Sequence, residues 1–183
     1  MVTRVFVNFI KIKILFFMST RIACLSDTHG FLDNRLIDFF NPCDEIWHAG
    51  DIGSLNVAEK LFTIKPLRAV CGNIDGPEIR DKYPVCQRFR CEKVDVLITH
   101  IGGYPGKYDS AVRPLILENP PKLFICGHSH ILKVMNDKKS GLLHINPGAA
   151  GRSGLHILQT AVRFIIDNDK ISDLEVIELK RIK

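Results

Sequence analysis

Seven side chains of the kinds that hold divalent metal ions occur in five short motifs: Asp27-Thr28-His29, Gly50-Asp51, Gly72-Asn73, His100 and Gly127-His128-Ser129-His130. Asp27 and His29 stand two apart, as do His128 and His130. If extended backbone persists through them, each pair points to one side and can serve one ion. Asp51 has two carboxylate oxygens and can bridge two cations, which an imidazole cannot. Asn73 adds a neutral carbonyl oxygen. Imidazoles and oxygens without a thiolate favour Mn²⁺, Fe, Zn²⁺ or Ni²⁺ over a structural cysteine-type zinc site. Two divalent ions carry four positive charges, and Asp27 and Asp51 return two negative ones. The remaining positive charge suits a phosphate.

Each motif follows an apolar run that reads as a buried strand: 21–26, 45–49, 67–71, 94–99 and 122–126. One motif alone is an ordinary loop signal. Five at successive strand ends would meet at one sheet edge, where open α/β sheets bind ligands. Strands alternate with short helical stretches, 31–40, 55–62 with Ser54 as N-cap, and 109–117 stopped by Asn119-Pro120-Pro121. That alternation argues parallel pairing. Segments 83–90 and 92–99 read as neighbouring strands. After His130 the pattern turns to strands at 131–136, 142–146, 155–167 and 170–179, with a hairpin turn at Asp167-Asn168-Asp169. Two sheets packed face to face and flanked by helices accommodate this order.

With 183 residues, 46% hydrophobic and 25% charged, the chain reads as one globular domain. The net charge of +5 is ordinary surface charge, with no clear nucleic-acid groove in the sequence. None of the six cysteines forms a CxxC pair; Cys24, Cys71 and Cys126 end apolar strands, and Cys86 and Cys91 bracket a short one and are open to exposure. This reads as a reducing, cytoplasmic protein. Homo-oligomerisation is left open. Residues 1–17 are apolar but interrupted by Asn8, Lys11 and Lys13, which breaks a signal-peptide pattern and is too short and charged for a membrane span. They read as an overlong start or extension, with a single domain at 18–183 and Met18 as the alternative start; an anchor or added strand is the other reading.

Among the remaining histidines, His48 is expected buried behind Gly50-Asp51, and His156 faces solvent or core. His144 precedes the turn Ile145-Asn146-Pro147-Gly148 and is a substrate-contact candidate. The stretch 101–108, rich in glycine, reads as a mobile loop that offers Tyr104 or Lys107 to substrate, or as a plain surface loop.

The motif order from Asp27 to His130 resembles the calcineurin-like metallophosphoesterase superfamily. The flanks Leu25-Ser26-Asp27-Thr28-His29-Gly30, His48-Ala49-Gly50-Asp51-Ile52 and Ile145-Asn146-Pro147-Gly148 resemble its small bacterial and archaeal phosphodiesterase branch. The resemblance covers most of the chain after Met18. It implies a four-layer α-β-β-α sandwich with the site at the C-terminal ends of the strands. It also implies one ion held by Asp27, His29, Asp51 and His130, and a second by Asp51, Asn73, His100 and His128. Mn²⁺ is the first choice, and a hydroxide bridging the two ions would attack a small phosphodiester or phosphomonoester. Asn73 and His100 would also help place the substrate, and Asp75 would fix a histidine tautomer as a supporting catalytic group.

One position departs from the family. Many relatives follow Gly-Asn with a histidine that protonates the leaving group, whereas this chain reads Gly72-Asn73-Ile74-Asp75. An isoleucine cannot transfer a proton. Two rivals to the enzyme reading are a protein-binding scaffold, as in the retromer subunit that shares the fold, and a nuclease. The intact ligand types favour the phosphoesterase.

Overall fold

The computed structural model describes residues 19–181. The reading of residues 1–17 as an extension, with Met18 as the alternative start, lies outside the described residues.

Short apolar runs that are buried on both faces become central parallel strands. In the first sheet, Thr20–Leu25 (β1), Glu45–His48 (β2) and Leu67–Ala69 (β3) pair in parallel. Leu158–Asp167 (β11) and Lys170–Lys180 (β12) extend it antiparallel on the other side of β1, giving the order β12-β11-β1-β2-β3. The second sheet has the order β4-β5-β8-β10-β9. It is built from Cys86–Cys91 (β4), Val94–Thr99 (β5), Leu123–Ile125 (β8), Leu132–Asp137 (β9) and Leu142–Pro147 (β10). Here β5, β8 and β10 run parallel, with antiparallel strands at both edges.

Strand alternation divides the apolar residues between layers. Ile22 and Cys24 of β1 join Trp47, Val96, Ile98, Ile125 and Phe164 in a core between the sheets. Trp47 fills it, with its ring edge-on to Phe89 and Phe164. Ala23 and Leu25 face the other way, onto Leu36 and Phe40 of helix Asn34–Phe40 (α1) and Leu61 of helix Leu55–Ile64 (α2). On the outer face of the second sheet, Leu97 and Phe124 meet Val112 and Ile116 at helix Arg113–Glu118 (α4). The result is the four-layer α-β-β-α sandwich.

Several boundaries move for identifiable reasons. α1 starts at Asn34 rather than residue 31, because the Asp33 side chain accepts the Arg35 N–H at 3.0 Å and caps it there. α4 starts at Arg113, because the Asp109 carboxylate takes the Ala111 N–H and makes a turn instead. The single-turn helix Pro77–Arg80 (α3) is too short to show periodicity, though Pro77 is suited to its first turn. The glycine-rich stretch after His100 holds a tight hairpin of Gly103–Tyr104 (β6) and Lys107–Tyr108 (β7). β11 begins at Leu158, past a fully exposed Leu155. All six cysteines are unpaired, and Cys91 is buried with Cys24, Cys43, Cys71 and Cys126; Cys86 is half-buried. No described helix is long and apolar enough to cross a membrane.

Candidate metal centre

The strands β1, β2, β3, β5 and β8 end at the same edge, and backbone bonds stitch their loops together there. Asp27 N–H donates to Gly50 C=O, and Gly127 N–H donates to His100 C=O. The His128 N–H donates to Asp27 Oδ2 at 3.1 Å and ties the two sheets across the site.

The pairs at 27/29 and 128/130 do not converge through extended backbone. Asp27, His29, Asp51, His128 and His130 all have positive φ, between 48° and 67°. They are left-handed turn residues just past their strands, a conformation that side chains other than glycine rarely adopt. Gly127, expected to provide a sharp turn, provides space. A Cβ there would overlap the Ser26 hydroxyl and come within 2.8 Å of the Asp27 carboxylate. Gly72 is confined in the same way, since a Cβ would overlap the Asp51 carboxylate and amide.

The side chains gather in two overlapping clusters, Asp27 with His29 and His130, and Asp27 with Asp51 and His100. His130 Nε2 lies 3.2 Å from Asp27 Oδ1 and 3.2 Å from His29 Nε2. The two Asp51 oxygens face different neighbours, Oδ2 at 3.7 Å from His29 Nε2 and Oδ1 at 3.2 Å from His100 Nε2. Asn73 Oδ1 is 3.1 Å from His100 Nε2. His128 is exposed, with its ring edge-on to His100 at 5.3 Å between centroids. Six of the seven residues are therefore linked in one chain of polar contacts, and His128 stands at the rim.

The donor set fits cations. Asp27 is fully buried, and its Oδ1 has no hydrogen-bond partner. His100 Nδ1 lies 2.8 Å from the Ala49 carbonyl, so that nitrogen carries the proton and donates it. Its Nε2 faces the oxygens of Asp51, Asn73 and Asp27, all acceptors, so in the absence of a cation a proton is favoured there, and a cation would take that proton's place. A cation satisfies such a convergence of lone pairs, and the backbone carbonyl behind His100 sets the tautomer. Burial pushes the Asp51 carboxyl up, yet the His100 bond and the Ile74 N–H outweigh it and hold the group below the usual range. Burial likewise opposes the charged form of His100, but Asp51 and Asp27 raise its pKa.

His48 supports the loops from behind. It is buried, and burial pushes its pKa down to about 4. The Gly50 N–H donates to its Nδ1, so Nε2 carries the proton toward Thr28 Oγ1 at 2.9 Å, and that hydroxyl donates to Ile52 C=O.

Asp75 corrects an expectation. Its carboxylate accepts the backbone N–H groups of Ile52, Gly53 and Gly72, and none of its hydrogen bonds reaches an imidazole. It bolts the Asp51 and Asn73 loops together rather than fixing a histidine tautomer. Asp75→Ala leaves three amides without an acceptor, and the two buried ones, of Ile52 and Gly72, cost about 1–3 kcal/mol each. Urea unfolding is expected to show a loss of at least ~2 kcal/mol, with partial recovery in Asp75→Asn; an unchanged midpoint in the alanine variant refutes the bolt.

Three supports escaped sequence reasoning. Arg80 donates to the Asp75 and Gly72 carbonyls. His156 Nδ1 stands 3.3 Å from His130 Nδ1, with Arg181 at 2.9 Å from its other nitrogen. The Asn146 amide donates to Gly127 C=O and Ser129 Oγ and holds the His128–His130 loop. Only Asn146 left a signal, as part of the turn Asn146-Pro147-Gly148.

Comparison with known proteins bears on the family and the fold. The profile of the calcineurin-like phosphoesterase superfamily domain matches residues 20–169. A protein from Methanothermobacter thermautotrophicus described as a probable metallophosphoesterase is 29% identical over 135 residues, 70% of this chain and 76% of that protein. Two solved structures share the fold. One is described as a novel archaeal phosphodiesterase (TM-score 0.64, 24% identity, 87% of this chain and 99% of that one). The other is Vps29 complexed with Zn²⁺ from Entamoeba histolytica (TM-score 0.68, 15% identity, 87% of this chain and 98% of that one).

Proposed function

Because the chain belongs to the calcineurin-like phosphoesterase superfamily, we propose that it is a phosphodiesterase that works with two divalent ions, Mn²⁺ foremost. One observation carries the reading: carboxylate, carboxamide and imidazole groups converge at the strand ends around a buried Asp27 oxygen that accepts no hydrogen bond. Asp27, His29, Asp51 and His130 would hold one ion, and Asp51, Asn73, His100 and His128 the other. When bound, the ions supply positive charge for the phosphate and acidify a water.

The chain's own groups set the rest. Asp51 lies between the His29 and His100 sides of the site and keeps them at a fixed separation. Asn73 is exposed beside buried His100, so its carboxamide can reach a substrate oxygen. Ile74 is 47% exposed next to Asp51 and offers no proton. A substrate with a good leaving group suits such a site, and diesters are favoured over alkyl monoesters.

The scaffold reading keeps one support, the likeness to Vps29. The full set of ligand types weighs against it.

The test uses protein stripped with a chelator and reloaded with Mn²⁺. Expected are two ions per chain by elemental analysis, and hydrolysis of a bis-aryl phosphate faster than of the aryl monoester. Both activities should vanish on chelation and return with Mn²⁺. Failure to bind metal, or a preference for the monoester, overturns the proposal.

A further inference from the structure

The loop between β10 and β11 doubles back on the proposed ion site and lays His156 against His130. The rings stand edge to face with centroids 5.1 Å apart, and their Nδ1 atoms are separated by 3.3 Å. Gly154 makes room for the contact, since a Cβ there would overlap His130 Nδ1. The far nitrogen of His156, Nε2, has two neighbours of opposite character. Arg181, the residue after β12, brings a guanidinium nitrogen to 2.9 Å, and the Gly151 carbonyl oxygen lies at 3.2 Å.

These neighbours fix the direction of each hydrogen bond. A guanidinium only donates. His156 Nε2 therefore accepts from Arg181, which leaves the proton of the neutral ring on Nδ1. That N–H faces His130 Nδ1, which must accept it. A neutral His130 then carries its own proton on Nε2, the nitrogen that lies 3.2 Å from both His29 Nε2 and Asp27 Oδ1. An ion at this position needs that nitrogen bare. His130 would then carry its proton on Nδ1, and the two Nδ1–H groups would meet head-on unless His156 moved its proton to Nε2. The Gly151 carbonyl is already placed to accept it there. Arg181 has no lone pair to offer and would have to leave. With both rings neutral, the pair holds two protons in either arrangement, and only their positions differ.

We infer that His156 is a positioning residue for the proposed ligand His130, and that Arg181 competes with the ion for it. The Arg181 bond fixes the tautomer that closes His130 Nε2, and an ion at Nε2 requires that bond to break. Occupancy of the site is thereby coupled to the loop 151–156, where Arg181 also donates to the Ser153 and Gly154 carbonyls. The coupling rests on His130 being an ion ligand, as in the phosphodiesterase reading; the proton positions in the metal-free chain do not.

Nuclear magnetic resonance of the full chain with nitrogen-labelled histidine reads which ring nitrogen is protonated. In the metal-free chain His156 is expected to carry its proton on Nδ1 and His130 on Nε2. Zn²⁺, which is diamagnetic and suits the same donors, should move the His156 proton to Nε2. Arg181→Met should place it on Nε2 without any ion, and should tighten Zn²⁺ on the His130 side of the site about tenfold. His156→Ala should weaken the same ion about tenfold, with recovery in His156→Asn, whose carboxamide oxygen can accept the His130 N–H. The two effects should not add: in a His156→Ala background, Arg181→Met should leave Zn²⁺ affinity unchanged. An equal gain in that background means that the guanidinium acts by charge alone, and overturns the competition. Zn²⁺ bound with the His156 proton still on Nδ1 also overturns it and leaves the ion site standing. If His156→Ala does not fold, the proton positions in the wild type and in Arg181→Met decide the matter. A chain with the expected proton positions that takes up no Zn²⁺ overturns the ion reading, and the competition with it.

Discussion

Asp51→Asn is expected to weaken both ions together, by at least ~10²-fold in affinity, and to lower ester hydrolysis by about 10³-fold. The carboxylate points one oxygen at His29 and the other at His100, and its Oδ1 also accepts the Ile74 N–H. An amide of the same shape keeps one acceptor and loses the charge. Its other end presents hydrogens where a cation needs a lone pair. The fold should survive, because the substitution is isosteric. Titration calorimetry with Mn²⁺ and elemental analysis read the result. One ion retained at wild-type affinity means that Asp51 serves a single site. The shared ligand is then Asp27, whose carboxylate belongs to both clusters.

The second large effect concerns the leaving group. With Ile74 in place of a proton donor, the departing oxygen must leave as an anion, so rate should fall steeply as the alcohol becomes less acidic. A positioned general acid is worth roughly 10²–10⁴-fold, and alkyl esters should lag aryl esters by about that factor. Ile74→His restores an imidazole beside Asp51, but Asp75 is engaged with three backbone amides and cannot orient it. The gain should therefore stop near tenfold, well below a fully positioned acid, and should appear only with poor leaving groups. A leaving-group series on both proteins makes the comparison. A flat series in the wild type means that another group already supplies the proton.

The strands that carry the ligands were legible because a strand buried on both faces reads as an unbroken apolar run. Their common polarity placed the five motifs at one edge. Burial of His48 was also legible, since it sits inside such a run. What stayed hidden is set by long-range contacts or by backbone angles. Nothing in Asp75 distinguishes a carboxylate that bonds an imidazole from one that bonds three amides. His156 reaches His130 only because the 151–156 loop folds back. The glycines after His100 read as looseness, although Gly103 and Tyr104 pair with Lys107 and Tyr108 in a hairpin. The pair at 27/29 meets by a different geometry, whereas 128/130 splits, with His130 beside Asp27 and His29 and His128 beside His100.

That geometry bears on how the site and the fold compete. Asp27, His29, Asp51, His128 and His130 all occupy left-handed turns, where a side chain works against the backbone by about 1 kcal/mol or more at each position. Asp tolerates such turns better than bulky residues do, but glycine is the residue the chain alone would choose. Of the eight non-glycine residues in such turns among the described residues, five are these candidate ligands, and the other three, Glu92, Asn168 and Asp173, lie away from the site. The strain is thus concentrated at the strand ends, where a turn tight enough to bring carboxylate and imidazole together sets the backbone against its own preference.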